Sequence, residues 1–229
     1  MIESLIEVLI EGFGMENIDL MVNMLARWGH LLFGMTWIGL LYYFNFIQGG
    51  YFKAASPEAL KDAKAKLAPE ALWWFRWGAM FTFLTGVLLL ENVYRSGILN
   101  SYIVVGATLG TFMFLNVWLI IWPNQKIALG MVEGDAAAAG GKALLASRTN
   151  TLFSAPMAFC MLAGGHFGGY SKLTSLEPTA NPMYLALAIV VLLEVNGIVG
   201  KQGPMTTVRG VIVSSLVLTG AIVAVLQMM

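Results

Sequence analysis

The stretch YIVVGATLGTFMFLNVWLIIW, residues 102–122, decides the fold class of this chain. It runs for 21 residues without a charged side chain. About 20 mostly apolar residues are enough for a helix to cross the hydrocarbon core of a bilayer. We therefore predict a membrane-spanning helix from Tyr102 to Trp122, ended by Pro123 because proline does not continue a helix.

Five further stretches on either side carry the same signal. They predict spanning helices over Trp28–Ile47, Leu72–Val93, Thr151–Phe167, Met183–Val199 and Val208–Leu226. The prediction is weakest for Thr151–Phe167. This stretch is short and contains Pro156 and a glycine pair, and both residue types weaken helices. The chain is predicted to be all-α, a polytopic transmembrane bundle of about six helices that forms one membrane domain over residues 1–229.

The composition agrees with this prediction and excludes several function classes. Hydrophobic residues make up 58% of the chain and charged residues only 11%, whereas soluble domains carry about 25% charged residues. The net charge is zero, which argues against nucleic acid as a partner. Cys160 is the single cysteine, so the sequence offers neither an internal disulfide nor the CxxCH motif of a covalent c-type haem.

Residues 1–20 are predicted to be a separate amphipathic N-terminal segment. Its first eleven residues alternate apolar and acidic positions at helical spacing, with Ile2, Leu5, Ile6, Leu9 and Ile10 on one face and Glu3, Glu7 and Glu11 on the other. An acidic polar face suits a partner protein or a surface without anionic lipid. The alternative is a helix that lies on its own bundle.

The distribution of basic residues predicts the orientation, because cytoplasmic loops are rich in Lys and Arg. Ten of the 13 basic residues lie in or beside the loops after the first, third and fifth spans, and three lie on the opposite side. Both termini are therefore predicted to face outward, unless the fourth span is absent, in which case the C-terminus faces inward. In the cytoplasmic loops we predict a short helix begun at Ser56 and a helical hairpin over residues 130–147.

The two histidines of the chain are the strongest candidates for chemistry. His30 lies near the start of the first span and His166 at the end of the fourth, which runs in the opposite direction. Both imidazoles therefore fall near the outer face at similar depth, and they are predicted to be axial ligands of a haem b iron. Glycines surround both, as close approach of a flat macrocycle requires: Gly29, Gly34, Gly164, Gly165, Gly168 and Gly169. Ordinary helix packing explains the same glycines, and each histidine alone could simply bond a neighbour.

Other polar and aromatic residues at membrane depth extend the candidate cofactor site. Arg27, one turn before His30, is predicted to pair with a haem propionate, with snorkelling to the interface as the alternative. Trp37 lies on the same helix face as His30 and is a candidate for packing on the cofactor ring or on another helix. Glu194, inside the fifth span, is a candidate proton relay for which no partner is evident in the sequence.

Three strings resemble the N-terminal membrane domain of the bacterial cytochrome-type urate oxidase, also called urate hydroxylase. They are RWGHLLFGMTWIGLLYYFNF (27–46), FLNVWLIIWPNQK (114–126) and SRTNTLFSAPMAFCMLAGGHF (147–167), and they occur in family order. The resemblance implies a multi-pass protein of the bacterial inner membrane that oxidises urate and passes electrons to a c-type cytochrome. It also implies a urate pocket near the cytoplasmic face, with Asn124, Arg148 and Asn150 as candidates. The alternative for these three is helix capping.

One departure from the family pattern bears on function. The family carries a fused C-terminal cytochrome, whereas this sequence ends at Met229 after a hydrophobic span and contains no CxxCH. We therefore expect electrons to leave through a separate periplasmic c-type cytochrome. The alternative is a non-catalytic accessory subunit of a larger respiratory or photosynthetic membrane complex.

Overall fold

A computed structural model gives the fold and describes residues 15–167 and 182–227. Over these residues the chain consists of helices and connecting turns. The α-helices are α1 (Met15–Tyr42), α2 (Gly49–Ala54), α3 (Pro57–Asp62), α4 (Ala68–Arg95), α5 (Ser101–Leu115), α6 (Trp122–Ala128), α7 (Ala136–His166), α8 (Pro182–Val199) and α9 (Val208–Leu226). The predicted amphipathic segment lies mostly outside the described residues, and 15–20 belong to α1.

Five continuous helical runs are long and apolar enough to cross a membrane, which confirms the predicted all-α bundle. They are Ile18–Ala54, Pro57–Arg95, Ser101–Ala128, Pro182–Val199 and Val208–Leu226. The last two agree with the predicted bounds within one residue. The first three are longer than predicted. The first begins ten residues earlier, at Ile18, and in each of the three a π-helical segment joins a long α-helix to a short one: Tyr43–Gln48 joins α1 to α2, Ala63–Leu67 joins α3 to α4, and Asn116–Ile121 joins α5 to α6.

The prediction that Pro123 ends the third span was wrong. The π-helical segment Asn116–Ile121 leads directly into α6, and Pro123 lies in the first turn of that helix. Proline is tolerated there because its fixed φ suits the first turn and its missing N–H weakens the hydrogen bonding least at that position. The prediction that a short helix begins at Ser56 is confirmed. The Ser56 side chain accepts a hydrogen bond from the Ala59 backbone N–H (3.3 Å) and caps α3. That helix continues into α4 instead of ending in the loop.

Helix α7 contains the predicted fourth span and is the central helix of the bundle. It is 31 residues long, or about 46 Å at the usual helical rise. Asp135 caps its start, so the predicted hairpin over 130–147 was wrong from residue 136 onward. Asn100 at the start of α5 donates to the Gly164 carbonyl near the end of α7 (3.0 Å), and Asn116 pairs with Asn150 farther along. Helices α5 and α7 therefore run antiparallel through the same layer.

Helix α7 is not among the helical runs that are apolar enough to cross a membrane. Its neighbours cover much of its surface, so it can carry polar residues in its interior. It carries buried polar residues along its middle, among them Arg148, Thr149, Asn150 and Ser154. Most of the exposed large apolar side chains lie on other helices: Leu20, Met24, Trp28, Leu31 and Met35 on α1, Leu192 and Val199 on α8, and Leu216 and Val217 on α9. A multi-pass membrane protein follows from these exposed apolar faces.

Small residues set the helix spacing. A Cβ built on Gly78 of α4 would lie 3.2 Å from the backbone nitrogen of Trp37 in α1. A Cβ on Gly106 of α5 would lie 3.1 Å from the Cβ of Cys160 in α7. Such contacts replace the hydrophobic driving force that is missing between helices in lipid.

Candidate functional site

His30 is held against α4 by its Nδ1 atom. The ring nitrogen lies 2.9 Å from the Thr82 carbonyl oxygen and 3.2 Å from Thr85 Oγ1. A carbonyl oxygen only accepts, so Nδ1 carries the proton and donates it to Thr82. The neutral ring then has its lone pair on Nε2, for which no hydrogen-bond partner is found in the described part of the chain.

Gly86 makes room for this ring. A Cβ at position 86 would lie 3.0 Å from Cε1 and 3.4 Å from Nδ1 of His30. Gly29 of α1 also lies close to α4, because a Cβ there would lie 3.6 Å from Cγ2 of Thr85. The His30 imidazole is therefore half-buried and fixed in orientation between α1 and α4.

His166 is the last residue of α7 and is exposed. The Tyr42 hydroxyl and Ser154 Oγ lie 2.8 Å apart and join α1 to α7. His30 lies twelve residues before Tyr42 in α1, and His166 lies twelve residues after Ser154 in the antiparallel helix α7. Both histidines are therefore displaced toward the same end of the bundle, by about 18 Å at the helical rise. This places the two imidazoles at similar depth. Within the described residues no hydrogen bond joins the two rings.

The other predicted cofactor contacts lie at separate places. Arg27 is exposed and its Nε donates to Asn23 Oδ1 at 2.8 Å. Trp37 is buried in the core of the bundle, and its Nε1 has no hydrogen-bond partner in the part of the chain that the structure describes. Apart from these predicted contacts, Arg95 forms an ion pair with Glu91 at 2.6 Å, and Glu91 lines a largely apolar groove of about 520 Å³ between α4 and α5.

A chain of three buried polar side chains ties α7 to two spans. Asn116 Nδ2 donates to Asn150 Oδ1 (2.9 Å) on α7 and to Glu194 Oε2 (3.1 Å) on α8. Asn150 Nδ2 donates to the Met113 carbonyl oxygen (2.9 Å). All three side chains are at most 7% exposed. Asn150 is therefore fully engaged within the bundle, which accounts for its burial without a substrate.

Sequence reasoning missed Asn116 as the partner of Glu194. The available signal was an amide inside an otherwise apolar span, since a polar residue at membrane depth faces the bundle interior and pairs with another. Which helix supplies the partner is not encoded in the spacing along one span. The structure supplies it because α5, α7 and α8 meet at this point.

Asn124 and Arg148, the other two candidate substrate residues, differ sharply in their contacts. Asn124 Nδ2 donates to the Ile120 carbonyl of its own helical run at 2.8 Å. Arg148 is only 9% exposed, and its Nε and Nη1 are buried without a hydrogen-bond partner in the described residues. A buried guanidinium without a partner is unusual, since such groups are ordinarily paired.

A polar seam connects the end of α1 to α7 beside Arg148. Asn45 in the π-helical segment Tyr43–Gln48 donates from Nδ2 to Ser147 Oγ at 2.8 Å. Among residues 15–167 and 182–227, neither its buried Oδ1 nor the buried Oε1 of Gln48 has a hydrogen-bond partner. In the described chain no group of three His, Cys, Asp or Glu residues is positioned to hold a bare metal ion.

Comparison with known proteins gives a family match over the middle of the chain. The family model described as urate oxidase N-terminal matches residues 96–202, just under half of the chain. The resemblance to the urate oxidase N-terminal domain is therefore confirmed for two of the three strings, and it extends through α8. The string at 27–46, which contains His30, lies outside the match. No curated protein and no solved structure matches the chain.

Proposed function

We propose that this chain is a membrane haem b protein that takes part in electron transfer, related to the membrane domain of urate oxidases. His30 and His166 are the proposed axial ligands. The observation that supports this most directly is the hydrogen bond from His30 Nδ1 to the Thr82 carbonyl. Histidines that bind metals almost always donate their second ring N–H to such an acceptor, which fixes the tautomer and orients the ring.

Three observations support a bis-imidazole haem. The His30 ring is oriented by its hydrogen bond to Thr82, His166 is exposed, and each histidine lies twelve residues along its helix from the Tyr42–Ser154 bond. A haem with two imidazole ligands exchanges single electrons at a potential set by its ligands and surroundings. In this chain Thr82 and Gly86 hold the His30 ring in place, and Arg27 is the proposed propionate partner once it leaves Asn23.

The proposed setting is the inner membrane of a bacterium, with the N-terminus and both histidines toward the periplasm. The excess of basic residues on the opposite side supports this orientation. Electrons would then pass to a separate periplasmic c-type cytochrome.

The decisive test is an absorption spectrum of purified protein, oxidised and reduced. We expect a Soret band in the wild type that is lost in both His30→Ala and His166→Ala. Asn23→Ala is the matched control, since Asn23 lies on the same helix and bonds only Arg27 among the contacts described. A Soret band that persists in both histidine variants would contradict the ligand assignment.

A third variant separates ligation from folding. Gly86→Ala places a methyl group 3.0 Å from His30 Cε1, so we expect a shifted or weakened haem spectrum in a protein that still elutes as a folded species. A wild type that folds, inserts and carries no haem would refute the proposal and favour the accessory-subunit alternative.

A further inference from the structure

We propose that Arg76 and Lys126, which meet at the ring of Trp122, form a binding site for the phosphodiester headgroup of an anionic phospholipid. The guanidinium carbon of Arg76 lies 3.8 Å from the centroid of the Trp122 ring, and Nζ of Lys126 lies 5.6 Å from it. Arg76 belongs to α4, whereas Trp122 and Lys126 belong to α6. Two helices that are distant in sequence thus bring two cations to one aromatic ring.

The first argument is that both cations lack an acidic partner. Both side chains are half-buried, and among the described residues neither Arg76 nor Lys126 has an ion pair or a side-chain hydrogen bond. Arg95, on the same helix as Arg76, pairs with Glu91 instead. The Trp122 ring attracts both cations but supplies no acceptor atom, since an indole has only a donor N–H. The donors of both side chains are therefore left for an acceptor from outside the chain.

The second argument is the closeness of the two charges. The charged groups of Arg76 and Lys126 cannot be farther apart than the sum of their distances to the ring centroid. That upper limit is comparable with the Debye length at physiological ionic strength, about 8 Å, so salt screens their repulsion only in part. An anion that contacts both cations offsets this repulsion. Arginine and lysine are also the side chains with which proteins bind phosphate groups.

The position of the site at the membrane interface identifies the source of the phosphate. Trp73 and Trp74, on the same helix as Arg76, are exposed, and tryptophan is enriched at the level of the lipid headgroups. Leu119, three residues before Trp122, is exposed as well and offers apolar surface to an acyl chain. The excess of basic residues predicts that this is the cytoplasmic side. Basic pockets between spans on that side bind the headgroups of anionic lipids.

The test follows the unfolding temperature of the purified, detergent-solubilised protein as phosphatidylglycerol, a lipid with an anionic phosphodiester headgroup, is added. A ligand that binds only the folded state raises this temperature, and the concentration dependence gives its affinity. We expect Arg76→Gln and Lys126→Gln each to weaken the affinity at least about fivefold, because one cation beside an anionic lipid contributes about 1 kcal/mol. Arg209→Gln is the matched control. It removes an exposed arginine at the start of α9 and should leave the affinity unchanged.

Two further ligands distinguish the lipid from other anions. Phosphatidylcholine, whose headgroup has no net charge, and inorganic phosphate should each stabilise the wild type less than phosphatidylglycerol at equal concentration. Equal stabilisation by phosphatidylcholine would overturn the charge assignment, and equal stabilisation by inorganic phosphate would overturn the lipid assignment. Affinities for phosphatidylglycerol that are the same in the wild type and in both site variants would overturn the site itself.

The comparison is protected against loss of stability. Each shift is the difference with and without lipid within one variant, so a less stable variant is not mistaken for one that binds less. Lys126→Gln changes a half-buried residue of a short helix, so it tests the site even where Arg76→Gln does not fold. The haem spectrum is read separately, and failure here therefore leaves the histidine proposal standing.

Discussion

Replacing Asn116 with alanine tests whether the buried amide chain holds the bundle together. The substitution removes the hydrogen bonds to Asn150 Oδ1 and Glu194 Oε2 in one step. Interhelical hydrogen bonds in membranes average about 0.6 kcal/mol and reach about 1.7 kcal/mol. Two of them, with the carboxyl of Glu194 left without Asn116, predict a loss of about 1–3 kcal/mol in the free energy of unfolding.

Asn124 provides the matched control for this measurement. It is an asparagine in the same helical run, but its side chain bonds only the carbonyl of Ile120 in that run. Asn124→Ala should therefore change the free energy of unfolding by no more than about 0.5 kcal/mol. Reversible unfolding in mixed micelles with increasing SDS measures both variants. If Asn116→Ala is no less stable than Asn124→Ala, the amide chain does not stabilise the bundle.

A double-mutant cycle sharpens the same test. Glu194→Gln keeps an acceptor oxygen for Asn116 and should be nearly neutral, whereas Glu194→Leu removes it. Because Asn116 and Glu194 are in contact at 3.1 Å, the effects of Asn116→Ala and Glu194→Leu should be less than additive by at least about 0.5 kcal/mol. Strict additivity would contradict the direct bond.

Two further predictions concern packing and orientation. A Cβ on Gly197 would lie 2.7 Å from Thr149 Oγ1, so Gly197→Ala should lower the free energy of unfolding by about 1–3 kcal/mol. The control is Gly220→Ala, where a Cβ would have nothing within 4 Å and the change should be neutral or stabilising. Equal effects of the two substitutions in the same SDS titration would argue against close packing of α7 on α8. The native cysteine is buried, so introduced cysteines report orientation: an impermeant maleimide should label Ser96→Cys in intact cells and Lys64→Cys only in broken cells. The reverse pattern would invert the proposed topology.

The sequence predicted the last two spans almost to the residue because both are bounded by turn chemistry. Pro182 is the first residue of the first of them, and Thr207 caps the second by accepting from the Gly210 N–H. The earlier spans were predicted too short partly because π-helical segments join them to short α-helices, so that each helical run continues into what was predicted to be a loop. No apolar periodicity marks such a segment. Pro123 was misleading for the same reason, since a proline in a first helical turn and a proline past a helix end look alike in sequence.

The assignment of His30 and His166 to one cofactor stays a prediction, and depth along the bundle is the feature of it that the sequence could supply. The spacing of His30 and His166 from their span ends was enough to predict a common level, and the bond between Tyr42 and Ser154 places them at similar depth. Contacts between helices could not be predicted from the sequence, because the order of spans along the chain does not determine which helix faces pack together. The pairing of Asn116 with Glu194 and the isolation of Arg148 are both facts of that kind.

The residues covered by the family match divide the proposed substitutions into two groups. Residues 96–202 contain Asn116, Arg148, Asn150 and Glu194, whereas His30 lies outside. In lipid, helices gain little from apolar burial against one another, so polar pairs and small residues determine which helices associate. The matched segment thus contains the whole amide chain that joins Asn116 to Asn150 and Glu194. A change at Asn116 tests packing inside the matched segment, while a change at His30 tests the proposed haem site on a helix outside it.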